Sequence, residues 1–431
     1  MENIKDNKNN IFITLYDDKL KDDDSLKVAI GDNFAIKDEK MTAGSFGMEN
    51  FYPPYSATVV ELINEENNIE IIGKTNLDEF QIQSNLEKPY YGENGNIFSD
   101  TYIENASFSS SLSIREGFSD ISIVSDMDGD ARINSSYLNL IGYKPTYGLI
   151  SRYGVTQCFN SFEQPGVISK NIANFCKILN ILVKKDEKDL NSIDYDMDIE
   201  NNSNLNEYKI GIPMEIYELI KSNEIKKEFD DFIKLLEKNN ILVEKFESNI
   251  FEESLKSYTI LSNTELSSNM MKYTGLIFGH RVEDYDNIFD MYSKSRRESF
   301  GLDLISRIIL GVNYVTGDKN KNIYNVAYKN RVSIKSKLND YLDKFDFILT
   351  PATPYNLKDS NLEIDLEKIL FNKIFTSLAN LCEIPAITLP MKKDEENPTL
   401  GIQLISKRLN DNNLIKLAKR IEEIIWNLKL L

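Results

Sequence analysis

The stretch of sequence that decides the fold reads Ile69-Glu-Ile-Ile-Gly-Lys-Thr-Asn-Leu-Asp-Glu-Phe80. Its first part, residues 69–73, is short, apolar and β-branched, which predicts a strand, and residues 74–80 are expected to lead into a helix. Further strands are predicted at residues 209–213 and at residues 345–351, where a proline ends the second one. A strand that leads into a helix and is followed by further strands predicts an α/β protein.

Two helices are predicted from the spacing of apolar residues. The first carries Ile172, Phe175, Leu179 and Leu182, with Ser169 as its expected N-cap. The second lies near the C-terminus and carries an apolar stripe of Leu414, Leu417, Ile421, Ile424 and Ile425. Residues 184–206 are charged and rich in asparagine with little periodicity, which predicts a loop inside the domain.

The composition excludes several classes of protein. The chain has 431 residues, 41% of them hydrophobic, and no apolar run long enough to cross a bilayer, so no membrane partner is expected. Residues 1–10 are polar and resemble neither a secretory signal nor a transit peptide. The cysteines Cys158, Cys176 and Cys382 lie far apart, which favours a reducing compartment, and the cytoplasm is the expected location.

The charge and the histidine content narrow the chemistry. A net charge of −18 repels phosphates, so any nucleic acid is expected to be held by a partner rather than by this chain. The single histidine, His280, excludes a histidine-rich zinc site and disfavours a Ser–His–Asp triad.

Several strings resemble consecutive blocks of the amidase-signature family. They are Phe34-Ala-Ile-Lys-Asp38, Pro53-Pro-Tyr-Ser-Ala-Thr-Val-Val60, the segment of residues 73–80 and Gly142-Tyr-Lys-Pro-Thr-Tyr-Gly-Leu-Ile-Ser-Arg-Tyr-Gly154. The last string resembles the A subunits of the glutamyl-tRNA(Gln)/aspartyl-tRNA(Asn) amidotransferases within that family. Several blocks in the family's order carry more weight than any one of them.

This resemblance extends from about residue 28 to the C-terminus. It implies a short N-terminal segment, residues 1–27, followed by an amidase-signature domain over residues 28–431. The implied fold is α/β, with a mixed central sheet covered by helices on both faces. It also implies a B-type subunit that uses ATP and Mg²⁺ to activate the tRNA-bound carboxylate, and a small C-type subunit. No cofactor is expected in this chain itself.

The family's chemistry requires an activated nucleophile, because an amide is a poor electrophile. By resemblance, a serine attacks after activation by a second, bridging serine, which a neutral lysine activates in turn. Backbone N–H groups of a glycine-rich turn stabilise the oxyanion.

Two of these three residues are replaced here. The lysine is assigned to Lys37, the bridging serine to Ala106 within residues 104–110, and the nucleophile to Asp130. Ala106 and Asp130 are 24 residues apart, as the family requires. The remnant of the oxyanion turn is Met127, Asp128 and Gly129.

The resemblance also assigns a substrate pocket. Arg307 matches the arginine that takes the carboxylate of glutamine, and Tyr258 matches an aromatic residue near that pocket. Lys373 falls where the family has an acidic residue that holds the amino group.

These replacements favour the interpretation that the chain does not hydrolyse amides. A carboxylate is a weak nucleophile towards an amide, and Asp128 and Asp130 would oppose the oxyanion. An ion pair between Lys37 and Asp130 is expected instead. Such a chain would serve the B-type partner as an A-type scaffold or as part of an ammonia channel. Two other interpretations stay open, namely a binding or regulatory protein outside tRNA amidation and an amidase with a relocated nucleophile among Ser107 and Ser109–Ser111.

A calcium loop is a competing interpretation of the same turn. Asp126, Asp128 and Asp130 supply oxygens at alternating positions, as an EF-hand does. The twelfth position, however, is Tyr137 rather than a bidentate carboxylate, and the sixth is Ala131 rather than glycine. The family register therefore explains this stretch better than calcium binding does.

Overall fold

The computed structural model describes residues 9–16, 24–83, 86, 88–92, 106–199, 208–316, 321–356, 366–392 and 400–427. Within these residues the chain forms a sheet of eleven strands. The strands are β1 (Phe12–Leu15), β2 (Leu26–Gly31), β3 (Ile69–Thr75), β4 (Ile121–Asp126), β5 (Ile141–Lys144), β6 (Gln164–Ser169), β7 (Lys209–Pro213), β8 (Leu242–Phe246), β9 (Phe347–Pro351), β10 (Ala386–Pro390) and β11 (Gly401–Ser406).

The sheet is mixed, as expected. Its strand order is β1-β3-β2-β4-β6-β5-β10-β11-β9-β7-β8. At one side β2 is parallel to both β3 and β4, and at the other β7 is parallel to both β8 and β9. The strands between β4 and β9 pair antiparallel. Strand β1, which lies in the N-terminal segment, pairs antiparallel with β3 and belongs to the same sheet.

Side chains alternate between two buried cores, one on each face of the sheet. On β2, Val28 and Ile30 join the larger core, whereas Ala29 joins the smaller one. On β4, Ile123 joins the larger core and Val124 the smaller one. Strands buried on both faces are nearly continuous apolar runs, because neither face meets water. The predicted α/β fold with both faces covered is confirmed.

Helices supply the layers that cover the sheet. They are α1 (Thr58–Asn64), α2 (Phe108–Arg115), α3 (Asp130–Tyr137), α4 (Ile172–Leu182), α5 (Ile216–Leu219), α6 (Asn223–Lys238), α7 (Phe251–Asn269), α8 (Ile288–Ser299), α9 (Leu302–Thr316), α10 (Lys321–Leu342), α11 (Leu366–Phe371), α12 (Ser377–Cys382) and α13 (Asp411–Asn427). The predicted stripes of α4 and α13 are both buried, which confirms these two helices.

Three local expectations are corrected or limited by the structure. The N-cap of α4 is Asn171, whose side chain accepts a hydrogen bond from the backbone N–H of Asn174 at 2.8 Å; Ser169 instead ends β6. The expected helix after residue 74 is only a 3₁₀ turn, Glu79–Gln81. Residues 184–199 contain no helix or strand, as predicted, and residues 200–206 lie outside the described residues.

Candidate functional site

The candidate site is the tight turn that joins β4 to the buried helix α3. Gly129 precedes the helix at a φ of 122°, a conformation that side-chain-bearing residues rarely adopt. A Cβ atom at this position would lie 2.4 Å from the hydroxyl oxygen of Thr376. The Asp126 carboxylate accepts a hydrogen bond from the Gly129 N–H at 3.1 Å. The turn therefore requires glycine at position 129, and its shape is fixed by its own side chains.

Arg132, in the first turns of α3, holds this turn to the rest of the protein. Its guanidinium forms a bidentate ion pair with Asp126, with N···O distances of 3.0 and 2.9 Å, and both side chains are fully buried. It also donates to the backbone oxygen of Thr376 at 3.0 Å and to the side-chain oxygens of Gln403 and Asn380 at 2.6 and 2.5 Å. Burial alone would raise the pKa of Asp126, but the charge and hydrogen bonds of Arg132 hold this pKa below its usual range.

Asp128 pairs with Lys373, and this pair was not predicted from the sequence. The Lys373 Nζ lies 2.5 Å from a carboxylate oxygen of Asp128, and the two side chains are only 5% and 6% exposed. The Thr376 hydroxyl donates to the backbone oxygen of Asp128 at 2.7 Å, which ties the same turn to the residue before α12. The cation that neutralises Asp128 in this turn is therefore Lys373.

Asp130 is buried beside this pair without a cation of its own. Its Oδ2 accepts a hydrogen bond from the Met127 N–H at 3.2 Å, and its Oδ1 is buried without a hydrogen-bond partner. Burial and then the charge of Asp128 raise the pKa of Asp130 well above its usual range, and the ammonium of Lys373 offsets this only in part. The pKa of Asp130 is therefore shifted towards the protonated, uncharged form.

The predicted ion pair between Lys37 and Asp130 is wrong. Lys37 is exposed in the loop that follows β2, and its backbone N–H donates to the Ser56 hydroxyl at 3.0 Å, whereas Asp130 is 1% exposed. Nothing in the site would compensate for moving this solvated ammonium into the interior. The sequence signal was ambiguous, because the pattern Ala-Ile-x-Asp occurs twice, at residues 29–32 and 35–38.

We expect that Lys37→Ala changes the free energy of unfolding by no more than about 0.5 kcal/mol, because the side chain is exposed and holds no buried charge. Urea denaturation of both proteins at pH 7 measures the difference. A loss above about 2 kcal/mol would place Lys37 in a buried ion pair after all. Lys37→Met serves as the second variant, since it retains the length of the side chain.

The first copy of the Ala-Ile-x-Asp pattern, residues 29–32, lies at the same end of the sheet as the β4–α3 turn. Gly31 ends β2, next to β4, and pairs with Thr75 of β3 in the sheet register. The hydroxyl of Thr75 lies 2.8 Å from that of Ser110, in the first turn of α2. Position 31 therefore lies beside the segment that carries Ala106, which is itself buried. Glu104 and Asn105 lie outside the described residues.

Within the described residues, Ser107, Ser110 and Ser111 are buried and none of them contacts a basic side chain. The hydroxyls of Ser107 and Ser111 have no hydrogen-bond partner there, and Ser110 pairs with Thr75 as described above. One buried amine has a lowered pKa, because burial and the charge of Arg132 lower the pKa of Lys144 to about 7. Its Nζ, however, donates to the backbone oxygen of Pro145 at 2.7 Å rather than to a serine. In the described part of the chain, these three serines therefore form no nucleophile–base couple.

Two of the three residues assigned to the substrate pocket contact this turn. Tyr258, on α7, donates from its hydroxyl to the backbone oxygen of Met127 at 2.6 Å, and Lys373 binds Asp128. Burial and then the charges of Asp128 and Asp130 raise the pKa of the Tyr258 phenol well above its usual range. The third residue, the half-buried Arg307 on α9, lowers that pKa through its charge.

The calcium interpretation is not supported by the geometry. The carboxylate of Asp126 is bound by Arg132 and that of Asp128 by Lys373, and the raised pKa of Asp130 disfavours the ionised form that a cation would bind. Within the described ranges, no group of three histidine, cysteine or acidic side chains is arranged to hold a metal ion. A hard cation needs six or more oxygens, and most of the carboxylate oxygens at this turn already accept hydrogen bonds or form ion pairs.

A second buried ion pair was also missed from the sequence. Lys74 is fully buried at the end of β3, where its Nζ lies 2.7 Å from a carboxylate oxygen of Asp32 and 2.7 Å from the backbone oxygen of Lys40. The signal was a lysine placed directly after the apolar strand residues 69–73, where only a paired charge is tolerated. This lysine is held by Asp32 and stabilises the loop that follows β2.

Comparison with known proteins agrees with this fold. A model of the amidase family matches residues 25–415. The A subunit of the glutamyl-tRNA(Gln) amidotransferase of Lachnoclostridium phytofermentans is 30% identical over 410 residues, which are 92% of this chain and 82% of that protein. The protein of the same name from Pelagibacter ubique is 33% identical over 410 residues, which are 92% of this chain and 83% of that protein.

Solved structures show the same architecture. The crystal structure of the glutamyl-tRNA(Gln) amidotransferase A subunit from Thermotoga maritima superposes with a TM-score of 0.77 at 27% identity, covering 97% of this chain and 88% of that one. The K. lactis urea amidolyase has a TM-score of 0.77 at 22% identity, covering 93% of this chain and 23% of that one, and shows the fold alone.

In the part of the chain that the structure describes, no helix has the length and apolarity needed to span a bilayer. The family model covers most of the chain, and the fold is shared with that of the Thermotoga maritima protein. The chain therefore belongs to the amidase family and is similar over most of its length to the family's glutamyl-tRNA(Gln) amidotransferase A subunits.

Proposed function

We propose that this chain is an A-type component of a tRNA-dependent amidotransferase that has lost its own glutaminase activity. It would bind a B-type and a C-type subunit and act as a scaffold or as part of the route for ammonia. The observation that carries the proposal is the β4–α3 turn, where the buried Asp130, whose pKa is raised, and the Asp128–Lys373 pair stand in place of a nucleophile and its oxyanion donors.

The loss of catalytic residues would include the lysine of the family's triad as well as its two serines. The position that lies at the end of β2, beside both β4 and the segment carrying Ala106, is Gly31 rather than Lys37. We infer that Gly31 stands where active family members have their lysine. All three members of the family's triad would then be absent, at Gly31, Ala106 and Asp130.

The electrostatics of the turn also oppose amide hydrolysis. An oxyanion needs free N–H donors, but the Met127 N–H donates to Asp130 and the Gly129 N–H donates to Asp126. Asp128 adds a negative charge at the same turn. Removal of one such donor from a working site lowers the rate by about 10²- to 10³-fold, and here two are engaged.

The residues assigned to the substrate pocket also disfavour the binding of glutamine. Lys373 supplies an ammonium where an acidic residue would bind the amino group of glutamine, and Asp128 already neutralises it. A bound glutamine would place its own ammonium next to that of Lys373, which is unfavourable in a buried pocket. Arg307 alone is retained with a charge suited to the substrate carboxylate.

The assembled complex gives the direct test. The chain is combined with the B-type and C-type subunits of its own genome, Glu-tRNA(Gln), ATP and Mg²⁺, and the amidated tRNA is measured. We expect amidation with ammonium as the nitrogen donor and no amidation above background with glutamine. The reason is that the complex lacks a group able to attack the glutamine amide.

A relative with both serines intact, assembled with its own partners, is the positive control and should use either donor. Amidation with glutamine by the complex of this chain would refute the loss of glutaminase. Failure of the chain to co-purify with a B-type subunit would instead refute the assignment to an amidotransferase and favour a binding protein outside tRNA amidation.

A further inference from the structure

A cavity of 690 Å³ lies beside the C-terminal end of α7. Its walls come from the segments between β2 and α1 and between β5 and β6, from residues 188–191 after α4, and from the segment that follows α7. Helix α7 contacts the β4–α3 turn through Tyr258 and ends at Asn269, eleven residues or roughly 16 Å further on. The wall that follows α7 therefore lies well away from the candidate site, and the volume is in the range of small-molecule sites.

The lining of this cavity is rich in aromatic side chains. The rings of Phe51 and Phe278 pack together with their centroids 5.1 Å apart, and those of Tyr55 and Tyr153 with their centroids 5.4 Å apart. All four are half-buried or exposed, and Tyr55 is 41% exposed. Aromatic side chains with free surface bind planar rings by stacking, which contributes about 1–3 kcal/mol per nucleic-acid base. The lining therefore suits a ligand with a planar aromatic ring.

The positive charge available in the cavity is that of Lys272. Of the other charged residues in the lining, Arg152 forms an ion pair with Asp189 at 3.1 Å, and Lys188 forms one with Glu61 at 2.7 Å. Lys272 is exposed, and among the described residues it forms no ion pair. This ammonium is therefore free to bind an anionic group of a ligand.

Two acidic residues behind the lining do not neutralise Lys272. Glu163 is buried and accepts hydrogen bonds from two backbone N–H groups, and burial raises its pKa, which disfavours its charged form. Glu265 accepts a hydrogen bond from the Ser161 N–H at 3.0 Å. Within the described part of the chain, neither carboxylate forms an ion pair with Lys272, so its charge is not compensated from this side.

A hydroxyl in the lining has unused hydrogen-bonding capacity. Thr156 is 7% exposed, and its Oγ1 has no hydrogen-bond partner within the described residues. The Asn269 amide donates to the backbone oxygen of Cys158 at 2.9 Å, which joins the segment of Thr156 to the end of α7, just before Lys272. A buried polar group without a partner is costly, and a hydroxyl can donate a hydrogen bond to an anion. This part of the lining therefore offers both an ammonium and a hydroxyl.

We propose that this cavity binds a mononucleotide. Its base lies against the rings of Phe51, Tyr55 and Tyr153, and its phosphate lies against Lys272 and Thr156. A nucleic acid would bring a row of phosphates to a chain with a net charge of −18, whereas a mononucleotide brings one, which a single ammonium can offset in large part. This site is independent of the proposed amidotransferase role.

The test titrates the full chain with AMP and with its two halves by isothermal calorimetry. We expect AMP to bind with a Kd on the order of 0.1–1 mM. Adenosine, which lacks the phosphate, should bind about three- to tenfold more weakly, and ribose 5-phosphate, which lacks the base, at least about fivefold more weakly. No binding of AMP up to about 10 mM, or binding no tighter than that of either half, would overturn the proposal.

Two exposed lysines test the position of the phosphate. Lys272→Met should weaken the binding of AMP about three- to tenfold and change that of adenosine less than about twofold, since it removes the charge and retains the length of the side chain. Lys177→Met, on α4 and outside the lining, should change neither by more than about twofold. Equal effects of the two variants on AMP, or an equal loss of AMP and adenosine in Lys272→Met, would reject the site.

Tyr55→Leu tests the position of the base. It should weaken the binding of AMP and of adenosine by the same factor, about five- to tenfold, because it removes a stacking surface and leaves the charge in place. The side chain is 41% exposed, so the fold should be retained, and the urea midpoint checks this. Unchanged binding of adenosine to a folded Tyr55→Leu variant would show that the base does not lie on this ring.

Discussion

Arg132→Met is expected to lower the free energy of unfolding by about 3–5 kcal/mol, because it leaves the fully buried carboxylate of Asp126 without its cation. The guanidinium also joins the β4–α3 turn to Thr376, Asn380 and Gln403, and methionine replaces none of these hydrogen bonds. Urea denaturation at pH 7, analysed for midpoint and slope, measures the loss.

Two controls separate this buried ion pair from a general effect of removing an arginine. Arg420→Met removes a partly exposed arginine that forms an ion pair with Glu423 at 3.5 Å, and should cost no more than about 0.5 kcal/mol. The double variant Asp126→Asn with Arg132→Met should be more stable than Arg132→Met alone, since no unpaired charge is left buried. A loss below about 1 kcal/mol for Arg132→Met would contradict the structure of this pair.

Asp130→Asn is expected to stabilise the protein, and the gain should grow with pH. The folded protein retains a proton on Asp130 that the unfolded chain releases above its own pKa of about 3.9, because the folded-state pKa is raised. The stability from this group is complete below that pKa and is lost as the pH rises towards the folded-state pKa. Asparagine does not titrate, so the difference between the two proteins should increase with pH, by at most about 1.4 kcal/mol per pH unit, until the folded-state pKa of Asp130 is reached.

Urea denaturation at pH 5.5 and pH 8 measures this difference. Lys144, whose pKa is about 7, titrates in the same interval, but it does so in both proteins and cancels from the difference. A stability difference that does not change with pH would mean that Asp130 is ionised in the folded state.

The neighbouring aspartate gives a matched control of opposite sign. Asp128→Asn removes the carboxylate that binds the Lys373 ammonium and leaves that charge buried, so it should lower stability at pH 7 by about 3–5 kcal/mol. The two substitutions have the same chemistry and lie two residues apart. Equal effects would show that the turn does not distinguish a paired carboxylate from a protonated one.

The fold was predictable because its signals are local. The strands at residues 69–75 and 209–213 and the stripes of α4 and α13 each follow from periodicity within a dozen residues. The alignment of Ala106 and Asp130 with the two serines of the family also follows from short sequence motifs close to them. Where two side chains compete for the same short-range role, as Ser169 and Asn171 do at the start of α4, only the backbone geometry decides.

The site was predicted only in part, for two physical reasons. The Lys37 assignment relied on a tetrapeptide pattern that occurs twice, and only the placement of Gly31 at the end of β2 separates the copies. The partner of Asp128 is 245 residues away in sequence, so no local pattern could reveal it. Residue types predicted that the turn is acidic, but packing determines which carboxylate forms an ion pair and which is buried without one.

The ion pair between Asp128 and Lys373 also limits how this turn can change over evolutionary time. A change to glycine at position 128 alone would leave the buried Lys373 without its carboxylate. A change to an acidic residue at position 373 alone would place two anions side by side in a buried space. Each single step would remove about 3–5 kcal/mol from a total stability of about 5–15 kcal/mol. The pair therefore constrains this turn, because a change at either position is tolerated only if two distant codons change together.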